Sequence, residues 1–147
     1  MSRNSLPFTY RTRSDATTWT LVRDVTEAAQ IAATYCEWPK AIHAKEAAMI
    51  MHAIAAEQDY RAEDGTQVIR APWVTLEHGK GDCKSTAVLI ASMCKAAGRR
   101  VALRFLQYDP GPTHWAHVYA VVDGVPVDPL LPLGEEFDYL RCHTVKL

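Results

Sequence analysis

From Asp24 to Tyr35, apolar residues return every third or fourth position: Val25, Ala28, Ala29, Ile31, Ala32 and Tyr35. That spacing gathers them on one face of an α-helix. Asp24 stands ahead of the stripe with Glu27 three residues later, as in a capping box, so the helix is expected to open there and to end by Pro39. A second helix is expected from Ile42 to Gln58, with Ala47, Ala48, Ile50, Met51, Ile54 and Ala55 as its apolar stripe. His43 and His52 fall off that stripe and are expected at the surface. The stretch from Asp59 to Lys80 carries "EDGTQ" and "APW" and reads as a turn-rich connection.

A third helix is expected from Asp82, whose carboxylate can accept from the unpaired N–H groups of a first turn. Ala87, Val88, Ala91, Cys94 and Ala97 recur at spacings of three and four, and Gly98 stands where a closing residue needs positive φ. Cys94 therefore belongs to a buried face, as a small hydrophobe. Beyond Gly98 the period changes to two. "VALRFLQY" and "HWAHVYAVV" read as strands, and Asp123-Gly124 is a two-residue hairpin signal leading into "VPVD". Helices followed by hairpin-connected strands imply an α+β domain with the third helix packed on an antiparallel sheet. The first 18 or so residues are polar and are expected to be irregular.

Composition adds bounds rather than detail. With 147 residues, 48% of them hydrophobic and 22% charged, the chain suits one domain, 1–147, with its own core. Sixteen Lys and Arg against 17 Asp and Glu leave a net charge of -1, which offers no footprint for nucleic acid. The basic N-terminal residues have no apolar segment behind them, so neither a membrane nor secretion is expected. Cys36, Cys83, Cys94 and Cys142 form no C-x-x-C pair. Reduced thiols in a cytoplasm are the simplest expectation, and they leave a reactive thiol chemically open.

With Asp123 and Gly124 as the hairpin loop, Val122 opposes Val125, Ala120 opposes Val127 and Tyr119 opposes Asp128. Alternation then places Trp115, His117, Tyr119 and Val121 on one face together with Asp128. His117 and Asp128 become diagonal neighbours, ~7–8 Å apart along the backbone and close enough for a carboxylate–imidazole hydrogen bond. His114 has the opposite parity and points elsewhere. Cys83 opens the third helix, where unpaired N–H groups favour thiolate over thiol, and Lys84 is expected to add positive potential. A thiol, a histidine and a carboxylate that orients it are the parts of an acyl-transfer site, and the Cys83 N–H could donate to the oxyanion. A zinc site from Cys83, His114 and His117 is disfavoured, because residues three apart on a strand face opposite ways. No metal or cofactor is expected.

The segments "APWVTLEHGKGDC" (Ala71 to Cys83), "AAG" (Ala96 to Gly98), "HVYAVVDG" (His117 to Gly124) and "VPVDP" (Val125 to Pro129), in that order, resemble the transglutaminase-like cysteine peptidase superfamily. Small bacterial and bacteriophage members are the nearest in kind, and the resemblance covers about residues 59–134. It implies a papain-like fold with Cys83 as nucleophile, His117 as general base and acid, and Asp128 as the orienting carboxylate. It also implies a peptide or protein substrate. Two departures bear on substrate preference: Lys84, Ser85 and Thr86 stand where members often have acidic residues, and Val125 to Val127 lack a tryptophan that many members place there. Trp73, Gln67 and Tyr60 are the candidates for a side-chain oxyanion donor. Hydrolysis is the expected reaction, since water is always at hand while transamidation needs an amine site. The alternative is a catalytically idle module that keeps the fold and binds a protein, for example as a phage structural or assembly component.

Overall fold

The computed structural model describes residues 9–12, 18–61 and 67–147. Strand β1 (Thr9–Thr12) leads to helix α1 (Thr18–Tyr35), a single 3-10 turn (Ala44–Glu46) and helix α2 (Ala47–Ala56). Short elements follow: β2 (Asp59–Tyr60), β3 (Gln67–Arg70), α3 (Pro72–His78) and β4 (Lys80–Gly81). Helix α4 (Cys83–Ala96) then gives way to strands β5 (Val101–Gln107), β6 (His117–Val122), β7 (Val125–Val127) and β8 (Arg141–Lys146). The main sheet is antiparallel in the order β7-β6-β5-β8. Helices precede the sheet and α4 packs on it, as the α+β reading required.

Several features differ from expectation. Helix α2, expected from Ile42 to Gln58, covers Ala47–Ala56 and is preceded by the 3-10 turn Ala44–Glu46. Helix α1 opens six residues before Asp24, because Val22 already continues the buried stripe of Val25, Ala28, Ala29 and Ala32. Asp24 is an internal residue paired with Arg23 at 3.0 Å, not a cap. Within the stretch expected to be irregular, Thr9–Thr12 pairs antiparallel with β3, while residues 1–8 and 13–17 lie outside the described residues. The expected connection holds β2, β3, α3 and β4, and residues 62–66 of it lie outside the described residues. Strand β8 had no counterpart in the expected pattern; it pairs with β5 from Ala102↔Lys146 to Gln107↔Arg141.

Helix α4 is the hub of the core. Ala87, Val88, Leu89, Ile90 and Ala91 are all buried, between α1 and α2 on one side and β5 and β6 on the other. Fully burying a branched aliphatic side chain contributes ~1.5–3 kcal/mol each, so an uninterrupted run of such burial fixes the helix firmly on the sheet. Its small residues let the neighbours approach closely. Val118, Ala120 and Val122 of β6 face this core, while Leu106, Tyr119 and Val121 form a separate buried cluster on the opposite face.

The β6–β7 hairpin has the register the sequence predicts: Val122↔Val125, Val121↔Pro126 and Ala120↔Val127. Asp123 and Gly124 take φ of 50° and 80°, the two positive values of a type I′ turn, a conformation that costs glycine little and Asp more. Asp123 is held by Arg99 Nε, which donates to its Oδ2 at 2.7 Å, and by the Arg100 N–H at 3.2 Å.

Candidate active site

Cys83 is the first residue of α4, and the preceding G-D dipeptide explains its placement. Asp82 Oδ1 accepts from the N–H groups of Lys84 at 3.1 Å and Ser85 at 3.2 Å, which starts the helix as expected. A Cβ on Gly81 would stand 3.2 Å from Ser85 Cβ and 3.4 Å from Thr75 Cγ2. Glycine therefore lets β4 lie flat against the start of α4 and the middle of α3. Ser85 Oγ accepts from Arg70 N–H at 3.1 Å and ties this corner to β3. Lys84 departs from expectation: its ammonium is buried and paired with the Asp82 carboxylate. The neighbouring carboxylate largely answers that charge, so the sulfur gains little from it.

His117 is the first residue of β6 and Asp128 follows the last residue of β7. Hairpin register brings their side chains to 2.6 Å, His117 Nε2 to Asp128 Oδ2, with Asp128 fully buried. The other carboxylate oxygen accepts from Leu130 N–H at 3.1 Å, so the Asp128 side chain is held at both oxygens. His117 is also hydrogen-bonded to the Cys83 side chain. Burial alone would lower the His117 pKa. The bonds to Asp128 and Cys83, and the negative charge on each, outweigh that and push it up to about 9. The three residues singled out in the sequence thus stand side by side where α4 and β6 begin.

Of the three candidates for an additional donor, Tyr60 lies against the thiol. Parallel pairing of Tyr60 with Gly81, with Arg61 N–H donating to Gly81 O at 3.0 Å, lays β2 beside the G-D-C turn. The Tyr60 hydroxyl is in hydrogen-bond contact with the Cys83 side chain and backbone. Burial first, then the negative charges of Cys83 and Asp82 and the bond to the sulfur, push its phenol above the ordinary 10 and keep it a donor. Trp73 is partly buried on α3, and the side chain of Gln67 lies outside what is described.

The site has further walls that sequence reasoning did not single out. Tyr108 stands near enough for burial and then the charges of Asp128 and Cys83 to push its pKa up to about 12. The Phe137 ring meets His117 edge-on at 5.7 Å and Tyr108 at 6.5 Å. Phe137 belongs to the chain between β7 and β8, which crosses the sheet face opposite α4. Glu136 of the same segment bonds the Tyr119 hydroxyl and pairs with Arg104 at 2.9 Å. Apart from the aromatic character of Tyr108 and Phe137, nothing local marked either one, because the contacts form only when this segment folds back.

Trp115 is not on the face of His117. It is buried in the main core, stacked on His143 with ring centres 5.9 Å apart and edge-on to Trp19 at 5.7 Å. Alternation does not reach back to it, because the strand begins at His117. His114 N–H donates instead to Gln107 Oε1 at 3.1 Å, and its side chain is exposed. His43 is exposed and accepts from Lys45 N–H at 3.1 Å, as a surface residue can. His52 differs: it is half-buried, and its Nε2 lies 2.7 Å from Leu131 O and 3.2 Å from Asp128 O. Its place on α2 faces the Asp128 segment, a tertiary partner that helical periodicity does not register.

A model of the transglutaminase-like superfamily matches residues 29–129, more than half of the chain. The chain belongs to the transglutaminase-like superfamily. The match spans from α1 to the residue after Asp128 and so includes Tyr60, Cys83, Tyr108, His117 and Asp128, but not Phe137. No curated protein and no solved structure matches the chain. Among the described residues, no three His, Cys, Asp or Glu side chains are grouped to hold a metal ion. No helix among them is long and apolar enough to cross a membrane. A thiol, an imidazole, a carboxylate and a phenol meet at this corner of the fold.

Proposed function

We propose that this transglutaminase-like protein is a thiol-dependent hydrolase of peptide or carboxamide bonds, with Cys83 as nucleophile. The observation that carries the reading is His117, buried and hydrogen-bonded to both Asp128 and the Cys83 sulfur, with its pKa raised to about 9. An imidazolium at neutral pH stabilises a thiolate beside it and is ready to give up a proton. The Cys83 sulfur attacks the substrate carbonyl, forming a C–S bond and a tetrahedral oxyanion. The Cys83 N–H and the Tyr60 hydroxyl stand where they could donate to that oxygen. His117 passes its proton to the leaving nitrogen as the C–N bond breaks, leaving a thioester. Water then attacks the thioester, His117 takes the water's proton, and the acid leaves as the thiol is restored. Asp128 holds the imidazole in the tautomer this exchange needs.

A second reading is favoured by one observation. Leu130, Leu133, Phe137, Tyr139 and Leu140 are all more than a third exposed along the segment that borders the site. Such a row suits a protein partner as well as a substrate, so a binding module with an idle triad is the rival. Alkylation with iodoacetamide across pH, mapped by peptide, separates the two. Preferential modification of Cys83 below pH 7, lost in His117→Ala, supports catalysis. Slow, comparable labelling of all accessible cysteines would support the binding module.

A further inference from the structure

We propose that His52 is a positioning residue for the triad, holding the Asp128 segment in place from α2. The inference rests on Asp128 orienting His117. Both atoms facing His52 Nε2 are main-chain carbonyl oxygens, of Leu131 at 2.7 Å and Asp128 at 3.2 Å. Carbonyl oxygens only accept, so Nε2 carries the proton and donates to both. A single N–H thus ties together the two ends of a tight turn, itself closed by Leu131 N–H donating to Asp128 O at 3.1 Å. That turn also presents Leu130 N–H to Asp128 Oδ1 at 3.1 Å. The backbone of Asp128 and one of its carboxylate oxygens are therefore fixed by the turn that His52 anchors, and the remaining oxygen meets His117 at 2.6 Å.

Helix α2 supplies no group to the thiol, so this anchor is the route by which it acts on the site. Strand β7 covers only Val125–Val127, and Asp128 lies just past the last ladder pair. The sheet alone does not hold the carboxylate. His52 takes over where the ladder stops.

His52→Ala, His52→Gln and His52→Asn would be compared in the full chain for the pH dependence of Cys83 alkylation and for thermal melting. Loss of one hydrogen bond typically changes an equilibrium by a factor of about two to ten. His52→Ala is expected to slow Cys83 labelling at pH 6 by up to about tenfold. It should also move the His117 inflection, near pH 9 in the parent, down by up to about one unit. The Gln amide can reach both carbonyls and should restore most of the rate and the inflection. The shorter Asn amide cannot, and it replaces Ala in the comparison if His52→Ala does not fold. A parental rate and inflection in His52→Ala or His52→Asn, whatever the melting temperature, would overturn the inference. So would equal impairment in Gln and Asn. If Cys83 labelling in the parent chain is itself indifferent to His117→Ala, the triad reading fails and takes this inference with it; dependence on His117 combined with indifference to His52 sinks the inference alone.

Discussion

Two cysteines on one helix behave as different chemical groups. Cys83 opens α4, half-buried and hydrogen-bonded to His117 and Tyr60. Cys94, about three turns further along, is wholly buried, and desolvation first, with the Asp123 charge, pushes its pKa up to about 12. At the helix start the sulfur has an imidazole and a phenol as neighbours. In the middle of the core the same atom is a neutral packing group. The surroundings of each thiol are thus set by where the chain puts it, and partners from distant elements supply them.

The strongest blow to the contrast would come from the carboxylate. Asp128→Asn leaves the volume nearly unchanged but removes the negative charge that helps to raise the His117 pKa, so that pKa should fall. Turnover of a peptide substrate should fall by about 10²–10⁴-fold, with the high-pH limb moving below about 9. Unchanged turnover with an unchanged limb would refute the role given to Asp128. Next comes Tyr60→Phe, which keeps the ring and deletes the donor; a drop in kcat of about 10²-fold with little change in KM is expected. A drop confined to KM would mean that Tyr60 binds substrate without stabilising its oxyanion.

A subtler test follows from proton linkage. His117 has a folded-state pKa of about 9 against an ordinary 6.5. Its contribution to stability is fully present below about 6.5 and is lost as pH rises through about 9. The melting temperature should therefore fall across that window, and the fall should shrink in Asp128→Asn. A slope identical in both proteins would break the link between the pair and the fold. The smallest effect belongs to the other end of the helix. Cys94→Ala should cost about 1 kcal/mol in denaturant melts, through the small cavity it leaves, and should not alter Cys83 labelling. Loss of Cys83 labelling in that variant would erase the contrast between the two sulfurs.

What could be read from the chain was what short-range rules control. Asp123-Gly124 specified its turn, the turn specified the register, and the register brought His117 to Asp128. Asp82 announced the start of α4 by the same local logic. The groups that escaped notice are held by long-range pairings. Tyr60 sits in a two-residue strand that exists only beside β4, so no pattern within the strand could separate it from Trp73 and Gln67. Strand β8 alternates without a strong apolar face, since only His143, Val145 and the strand's packing on β5 give it an inside. His52 looked like surface because a helical stripe records the core, and its partners are the carbonyls of a loop some 76 to 79 positions away. Trp115 misled in the opposite way, because alternation was carried two residues beyond the point where the ladder starts.

The type I′ hairpin also bears on the order of assembly. Acid and base are 11 residues apart along the chain and joined by one tight turn, so closing that loop takes little chain entropy and can precede the long-range docking of helices. The sulfur must arrive from a separate part of the polypeptide. A chain with β6 and β7 formed but α4 still undocked would hold the imidazole–carboxylate pair without the thiol, so the three groups come together only on consolidation of the core.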